Sequence, residues 1–110
     1  MSSAVSYDSE NDIFSVHNGF ASDEKFKGNI DIGDLVLDVS TKGRVIGMEV
    51  MNAAMFFKEF IGGYALDDVA DAKLNASFGP ASITIGIVLK MKDAMKEMPA
   101  KIVVPLRNRY

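Results

Sequence analysis

Apolar and polar side chains alternate on both sides of a tight-turn signal, and this pattern constrains the fold more than any other feature. Every second side chain in residues 35–39 is Leu or Val, and residues 46–50 repeat the alternation with Ile, Met and Val. A period of two is typical of a strand with one buried face. The turn Ser40-Thr41-Lys42-Gly43 separates the two runs, and Gly43 suits the left-handed position of a short hairpin loop. The segment therefore predicts a β-hairpin.

Shorter alternating segments precede this hairpin. An acidic turn at residues 8–12 separates two short strand patterns, and residues 26–32 form a third pattern that ends at Gly33-Asp34. Glycine and aspartate favour turns because they tolerate unusual backbone angles. We expect residues 5–57 to form a small sheet of paired hairpins that leads into a helix at Asn52.

The helix over residues 53–61 is apolar nearly all round. Asn52 is a favourable N-cap, and Lys58 and Glu59 are the charged residues of the segment. A helix with so narrow a polar face lies at the centre of a fold or covers a partner. Two interpretations remain open, in which the helix serves the core or contributes to a homodimer.

The helical spacing assigns side chains to two stripes. One stripe carries Met55, Phe56 and Phe60 and is expected to serve the core, while Phe57, Ile61 and Tyr64 lie on a neighbouring stripe. The candidate interface residues are Phe57, Ile61, Tyr64 and Met55.

The last third returns to strand patterns. Residues 66–72 predict a short second helix, on which Asp67 and Asp71 would share a face. Residues 82–92 form the longest alternation, residues 93–98 predict one helical turn, and Pro105 places the last strand at a sheet edge. We predict one α+β domain over residues 1–110, with a predominantly antiparallel sheet of hairpins, one main apolar helix and a short second helix.

Two motifs in the front half resemble a known family. The first is Tyr7-Asp8-Ser9-Glu10-Asn11-Asp12, and the second is Lys42-Gly43-Arg44-Val45-Ile46-Gly47-Met48-Glu49-Val50, followed by Asn52-Ala53. Over about residues 4–57 the chain resembles the small prokaryotic domain-of-unknown-function family numbered 2283. Lys42 replaces the usual Asp before Gly43, and residues 58–110 form an extension that completes the sheet.

The resemblance implies no established activity. Some members are thought to lie beside ribonuclease toxins in bacteria, which implies an antitoxin-like role with a basic protein partner on the acidic front of the chain. The residues themselves also have a structural interpretation, in which Asp8, Glu10 and Asp12 hold a tight turn and Arg44 pairs with Glu49 or a neighbour.

Composition excludes several classes of site. The chain has no cysteine, so disulfides, zinc–thiolate sites and thiol catalysis are excluded. Its beginning lacks the basic and apolar regions of a signal peptide, and its apolar runs are shorter than a bilayer requires. We therefore expect a cytoplasmic protein without membrane association.

The chemical motifs of enzymes and metal sites are also incomplete. Counted from Asp8, a calcium loop would need Gly and Glu where Ile13 and Gly19 stand. His17 is the single histidine, which argues against a multi-histidine site. We expect no cofactor, no metal and no catalytic residue.

Charge is distributed unevenly along the chain. Residues 1–72 carry 13 acidic and 5 basic side chains, a net charge of −8, whereas residues 73–110 carry 2 and 7, a net charge of +5. The two parts could pack against each other, or the back part could present a basic patch made of Lys90, Lys92, Lys101, Arg107 and Arg109. A nucleic-acid-binding protein is therefore an alternative, but the overall charge of −3 argues against it. The prediction is a non-catalytic interaction module that self-associates as a homodimer.

Overall fold

A computed structural model describes residues 4–62, 64–92 and 97–105. In chain order the strands and the helix are β1 Ala4–Asp8, β2 Ile13–His17, β3 Phe26–Ile32, β4 Leu35–Ser40, β5 Val45–Met51, α1 Ala53–Ile61, β6 Val69–Phe78, β7 Ser82–Met91 and β8 Glu97–Pro105. A short 3₁₀ turn, Leu66–Asp68, precedes β6. The α+β class is confirmed.

The first five strands form an antiparallel sheet, called here the front sheet, in the order β1-β2-β5-β4-β3. Hairpins join β1 to β2, β3 to β4 and β4 to β5, so the predicted sheet of paired hairpins is confirmed. Gly43 has a φ of 75° and donates its N–H to the carbonyl of Ser40, as the predicted turn requires. The connection over residues 18–25 crosses from β2 to β3 at the far edge.

The remaining three strands form the back sheet, in the order β6-β7-β8. Strand β7 alternates buried and half-buried side chains over its full length, which confirms the long strand predicted from residue 82. The predicted second helix over residues 66–72 is wrong because Val69 already pairs with Met91 in the sheet. Long-range pairing with β7 thus overrides the local helical pattern.

The last strand is longer than expected. Residues 93–96 of the predicted helical turn lie outside the described residues, but Glu97 and Met98 already belong to β8, so the turn does not extend to residue 98. Strand β8 pairs with β7 alone in the back sheet, and the edge position predicted from Pro105 is confirmed.

Buried side chains of both sheets and α1 form one hydrophobic cluster. Phe57 of α1 is fully buried and meets Phe14 of β2 edge to face, with ring centroids 5.2 Å apart. The buried face of α1 consists of Ala53, Phe57 and Ile61.

The predicted faces of α1 were therefore wrong in part. Phe57 and Ile61 form the most buried face, Phe56 and Phe60 are half-buried and pack against the core as predicted, and Met55 leaves 76% of its surface exposed. A helix that is apolar on most sides does not indicate from its own pattern which side is inward. In the described part of the chain, no helix has both the length and the apolar character needed to cross a membrane.

Candidate functional site

The acidic turn between β1 and β2 is held by its own side chains. The carboxylate of Asp8 accepts the N–H groups of Glu10 and Asn11, each at 3.1 Å, and the side-chain amide of Asn11 at 2.9 Å. These hydrogen bonds lower the pKa of Asp8 below its usual range, and the bond from the Asn11 side chain has the largest effect. The first motif therefore closes a turn, as its structural interpretation predicted.

Asp12 connects this turn to the start of α1. Its Oδ1 atom accepts the hydroxyl of Tyr7 at 2.6 Å and the N–H of Ala54 at 3.0 Å, while its carbonyl accepts the N–H of Ala53 at 3.1 Å. The hydrogen bond to Asp12 is the main reason that the pKa of Tyr7 is raised to about 12.

Asn52 precedes the helix, but it does not cap it as predicted. It has a φ of 53° and makes no side-chain capping bond. The side chain of Asn52 instead donates to Asp34 at 3.3 Å, and Asp12, distant in sequence, supplies the cap. The sequence does not indicate this capping residue, because Asp12 and Ala54 are 42 residues apart and no local pattern connects them.

A second polar cluster fixes the loop before β3 against the β4–β5 turn. Glu24, only 4% exposed, accepts the hydroxyl of Ser40 at 2.5 Å, Nε of Arg44 at 2.8 Å and the N–H of Ala21 at 3.0 Å. The Arg44 guanidinium makes a second bond to the same carboxylate and is the main cause that holds the pKa of Glu24 well below its usual range. Of the two alternatives predicted for Arg44, the structure shows pairing with a spatial neighbour, Glu24, instead of with Glu49.

Gly47 in the second motif lies where neighbouring side chains come close. A Cβ atom at this position would lie 2.9 Å from both the Asp38 carboxylate and the His17 ring. His17 accepts the N–H of Gly19 at 2.9 Å and meets the ring of Phe20 edge to face. The single histidine therefore holds the end of its strand.

The acids considered for catalysis or metal binding are separated. Asp67 lies in the 3₁₀ turn and Asp71 at a bulge of β6, so they do not share a helical face. Among the described residues, no three His, Cys, Asp or Glu side chains are grouped as a metal site would require.

The candidate basic patch is divided by acids. Lys90 lies between Asp71 and Glu97 in the strand register, on the outer face of the back sheet. Lys101, on the same face, is opposite Gly86. Lys92 follows β7, where its N–H bonds to the carbonyl of Asp68 at 2.7 Å, and it lines a cavity of about 290 Å³ together with Asp67. Arg107 and Arg109 lie outside the described residues.

The candidate interface residues also separate. Phe57 and Ile61 are buried in the chain's own core, and Tyr64 is half-buried against it. Met55 is exposed beside an open pocket of about 590 Å³ near the start of α1. The pocket is also lined by Asp12, Asp34, Asn52, Ala54 and Lys58. A dimer role of Met55 and Tyr64 stays a prediction.

The outer face of the front sheet is acidic. One register row contains Ser6, Ser15, Glu49, Val36 and Asp31, and the next contains His17, Gly47, Asp38 and Asn29. Neither row contains Lys or Arg. A basic surface would therefore complement this face.

The four edge strands of the two sheets differ in how well they are protected from pairing with a strand of another chain. Strand β6 lies against β1, β5 and β2, so β1 and β6 both contact strands of the other sheet. Strand β8 carries Pro99 and Pro105, which lack the N–H that an added strand would need. Strand β3 has no proline, and its Phe26 is 51% exposed. Among the described strands, β3 thus presents the edge best suited to pairing.

Residues 4–53 match the model of a family described as Protein of unknown function (DUF2283). The matched segment contains all five strands of the front sheet and the first residue of α1. The resemblance carried by the two motifs is therefore confirmed over this segment, and residues 54–110 lie beyond the match. Comparisons with curated proteins and with solved structures gave no match.

Proposed function

We propose that this protein is a non-catalytic interaction module that self-associates through its front sheet. The observation that carries the proposal is the edge strand β3, which ends the sheet without a proline and with a half-exposed phenylalanine. An edge strand of this kind is a template for pairing with another chain.

The acidic motif supports a structural rather than a chemical role. The carboxylate of Asp8 accepts backbone N–H groups of its own turn, and that of Asp12 accepts an N–H group at the start of α1, so their oxygens serve the fold. Glu24 is likewise saturated by Arg44, Ser40 and a backbone N–H.

Light scattering on the eluate of a gel-filtration column tests self-association directly. The full chain has a mass of 12.0 kDa, so a dimer is expected to approach twice that mass as the loading concentration rises. A mass that stays at the monomer value up to several hundred micromolar would contradict the proposal.

A second candidate function is an antitoxin-like role, which the acidic outer face of the front sheet favours. A basic partner protein would dock over Asp31, Asp38 and Glu49, the acids of the two register rows. The Glu49→Lys variant should then lose a basic protein that the wild-type chain captures from native lysate. Glu59→Lys, the same change on α1, is the matched control and should retain it.

A further inference from the structure

The free edge of β3 presents the backbone groups of alternate residues. Gly33 and Asp34 form a two-residue loop, and Gly33 has a φ of 63°, as the first residue of a type II′ turn does. Such a loop is closed by a hydrogen-bonded pair, here Ile32 and Leu35, and hydrogen-bonded pairs then alternate along the hairpin. Ile32 and Ile30 therefore direct their backbone groups towards β4.

The backbone groups of Asp31 and Asn29 point the opposite way, towards the free edge. Asn29 and Asp38 form a closely spaced pair that is not bonded through the backbone, and the side-chain amide of Asn29 donates to Asp38 at 2.5 Å. In the described part of the chain, no strand lies beyond β3. The edge thus offers donors and acceptors at every second residue, as an added antiparallel strand requires.

The charges on β3 are complementary to the same strand when it is reversed. With a two-fold axis through Asn29, Lys27 of one copy faces Asp31 of the other, and the same pair recurs on the other side of the axis. Asn29 and Asp31 have backbone groups of the outward kind, whereas Lys27 is the unpaired residue of the bulge between Phe26 and Gly28. Moving the two-fold axis by two residues to Asp31, a register shift of four residues, would instead place Asp31 opposite Asp31.

We propose that β3 pairs antiparallel with β3 of a second copy about an axis at Asn29. This inference rests on the proposed self-association and specifies its surface. The two front sheets then join into one ten-stranded sheet, and the exposed ring of Phe26 lies beside Ile32 of the second copy. The two Lys27–Asp31 pairs select this register.

Charge reversal tests the register. Asp31→Lys places lysine opposite lysine twice, and Lys27→Asp places acid opposite acid twice, so each variant should raise the dimer dissociation constant by about tenfold. The combined Lys27→Asp, Asp31→Lys variant restores opposite charges and should return the constant to within about threefold of wild type. Glu59→Lys, the same charge change on α1, should leave it unchanged.

A backbone variant tests the edge independently of charge. Asn29→Pro removes an N–H that faces outward, so the monomer should keep its thermal unfolding temperature while the dimer is lost. Circular dichroism reports the folding of each variant, and sedimentation velocity of the full chain reports the mass. If the proline variant does not fold, the charge-swap series still decides.

Each outcome distinguishes the two proposals. Weakening by either single charge reversal with recovery in the combined variant supports the β3 dimer. A wild-type dimer that tolerates Asp31→Lys and Asn29→Pro overturns the edge pairing but leaves self-association standing. Failure of the combined variant to recover overturns the register at Asn29, and a wild-type monomer at every concentration overturns both proposals.

Discussion

Replacing Asp12 by alanine should destabilise the fold far more than a surface substitution usually does. The carboxylate joins three elements, because it accepts the Tyr7 hydroxyl of β1 and the Ala54 N–H of α1 from a turn residue with a φ of 56°. Alanine removes both hydrogen bonds and also strains the left-handed backbone.

The magnitude follows from these three losses. Loss of a helix cap costs about 1 kcal/mol, and a hydroxyl without its acceptor costs about 1 kcal/mol more. Alanine in a left-handed conformation adds about 1 kcal/mol. The Asp12→Ala variant should therefore lose about 3 kcal/mol of unfolding free energy, or about 12 °C in Tm for a chain of this length.

Two matched variants separate the contributions. Asp12→Asn keeps an acceptor oxygen and tolerates the same φ. It should lose under about 1 kcal/mol of unfolding free energy, mainly because the negative charge at the helix N-terminus is removed. Asp12→Gly keeps the backbone conformation without the bonds and should fall between the two. Urea unfolding followed by circular dichroism measures all three free energies. A loss below about 1 kcal/mol for alanine, or an asparagine variant as unstable as alanine, would refute the capping argument.

Three further predictions concern the core and the two perturbed groups. Phe57→Ala should cost about 3 to 5 kcal/mol in urea unfolding because Phe57 is fully buried, whereas Met55→Ser should change stability by less than about 0.5 kcal/mol; similar losses would contradict the assigned helix face. The pKa of Glu24 is lowered in the folded state. Its contribution to stability is therefore present above its pKa in the unfolded chain, near 4.5, and is lost as pH falls. The thermal unfolding temperature should therefore fall when the pH is lowered below about 5. An equally steep fall in the Glu24→Gln variant would reject this assignment. The pKa of Tyr7 is raised from 10.0 to about 12 in the folded state. Its contribution to stability is therefore present below pH 10 and is lost as pH rises to about 12. Phenolate absorbance should show this late titration, and the Tyr7→Phe variant should lack it.

The hairpins of the front sheet could be predicted because their signals are local. Alternation places Leu35, Leu37, Met48 and Val50 on one face, and all four are buried in the structure. The turn at Gly43 follows from a residue type that tolerates a positive φ. Both the strand period and the turn are readable within a few neighbouring residues.

The candidate site could be predicted only in part. The structural role of the acidic turn followed from residue types, because aspartates readily bond nearby backbone groups. The contacts of Glu24 with Arg44, 20 residues apart, left no local signal, because their meeting depends on a loop that crosses the front sheet. The importance of β3 was equally hidden, because its edge position follows from the pairing of β2 with β5.

By itself the sequence determined the features that depend on neighbouring residues, which are the strand periods, the tight turns and the place where α1 begins. Only the tertiary structure decided which side of α1 is buried, whether residues 69–72 form helix or strand, and which strand is left at an edge. The physical reason is that α1 is apolar on most sides and β6 is stabilised by its pairing with β7. In both cases the local free energies are nearly balanced, and contacts between distant segments determine the outcome.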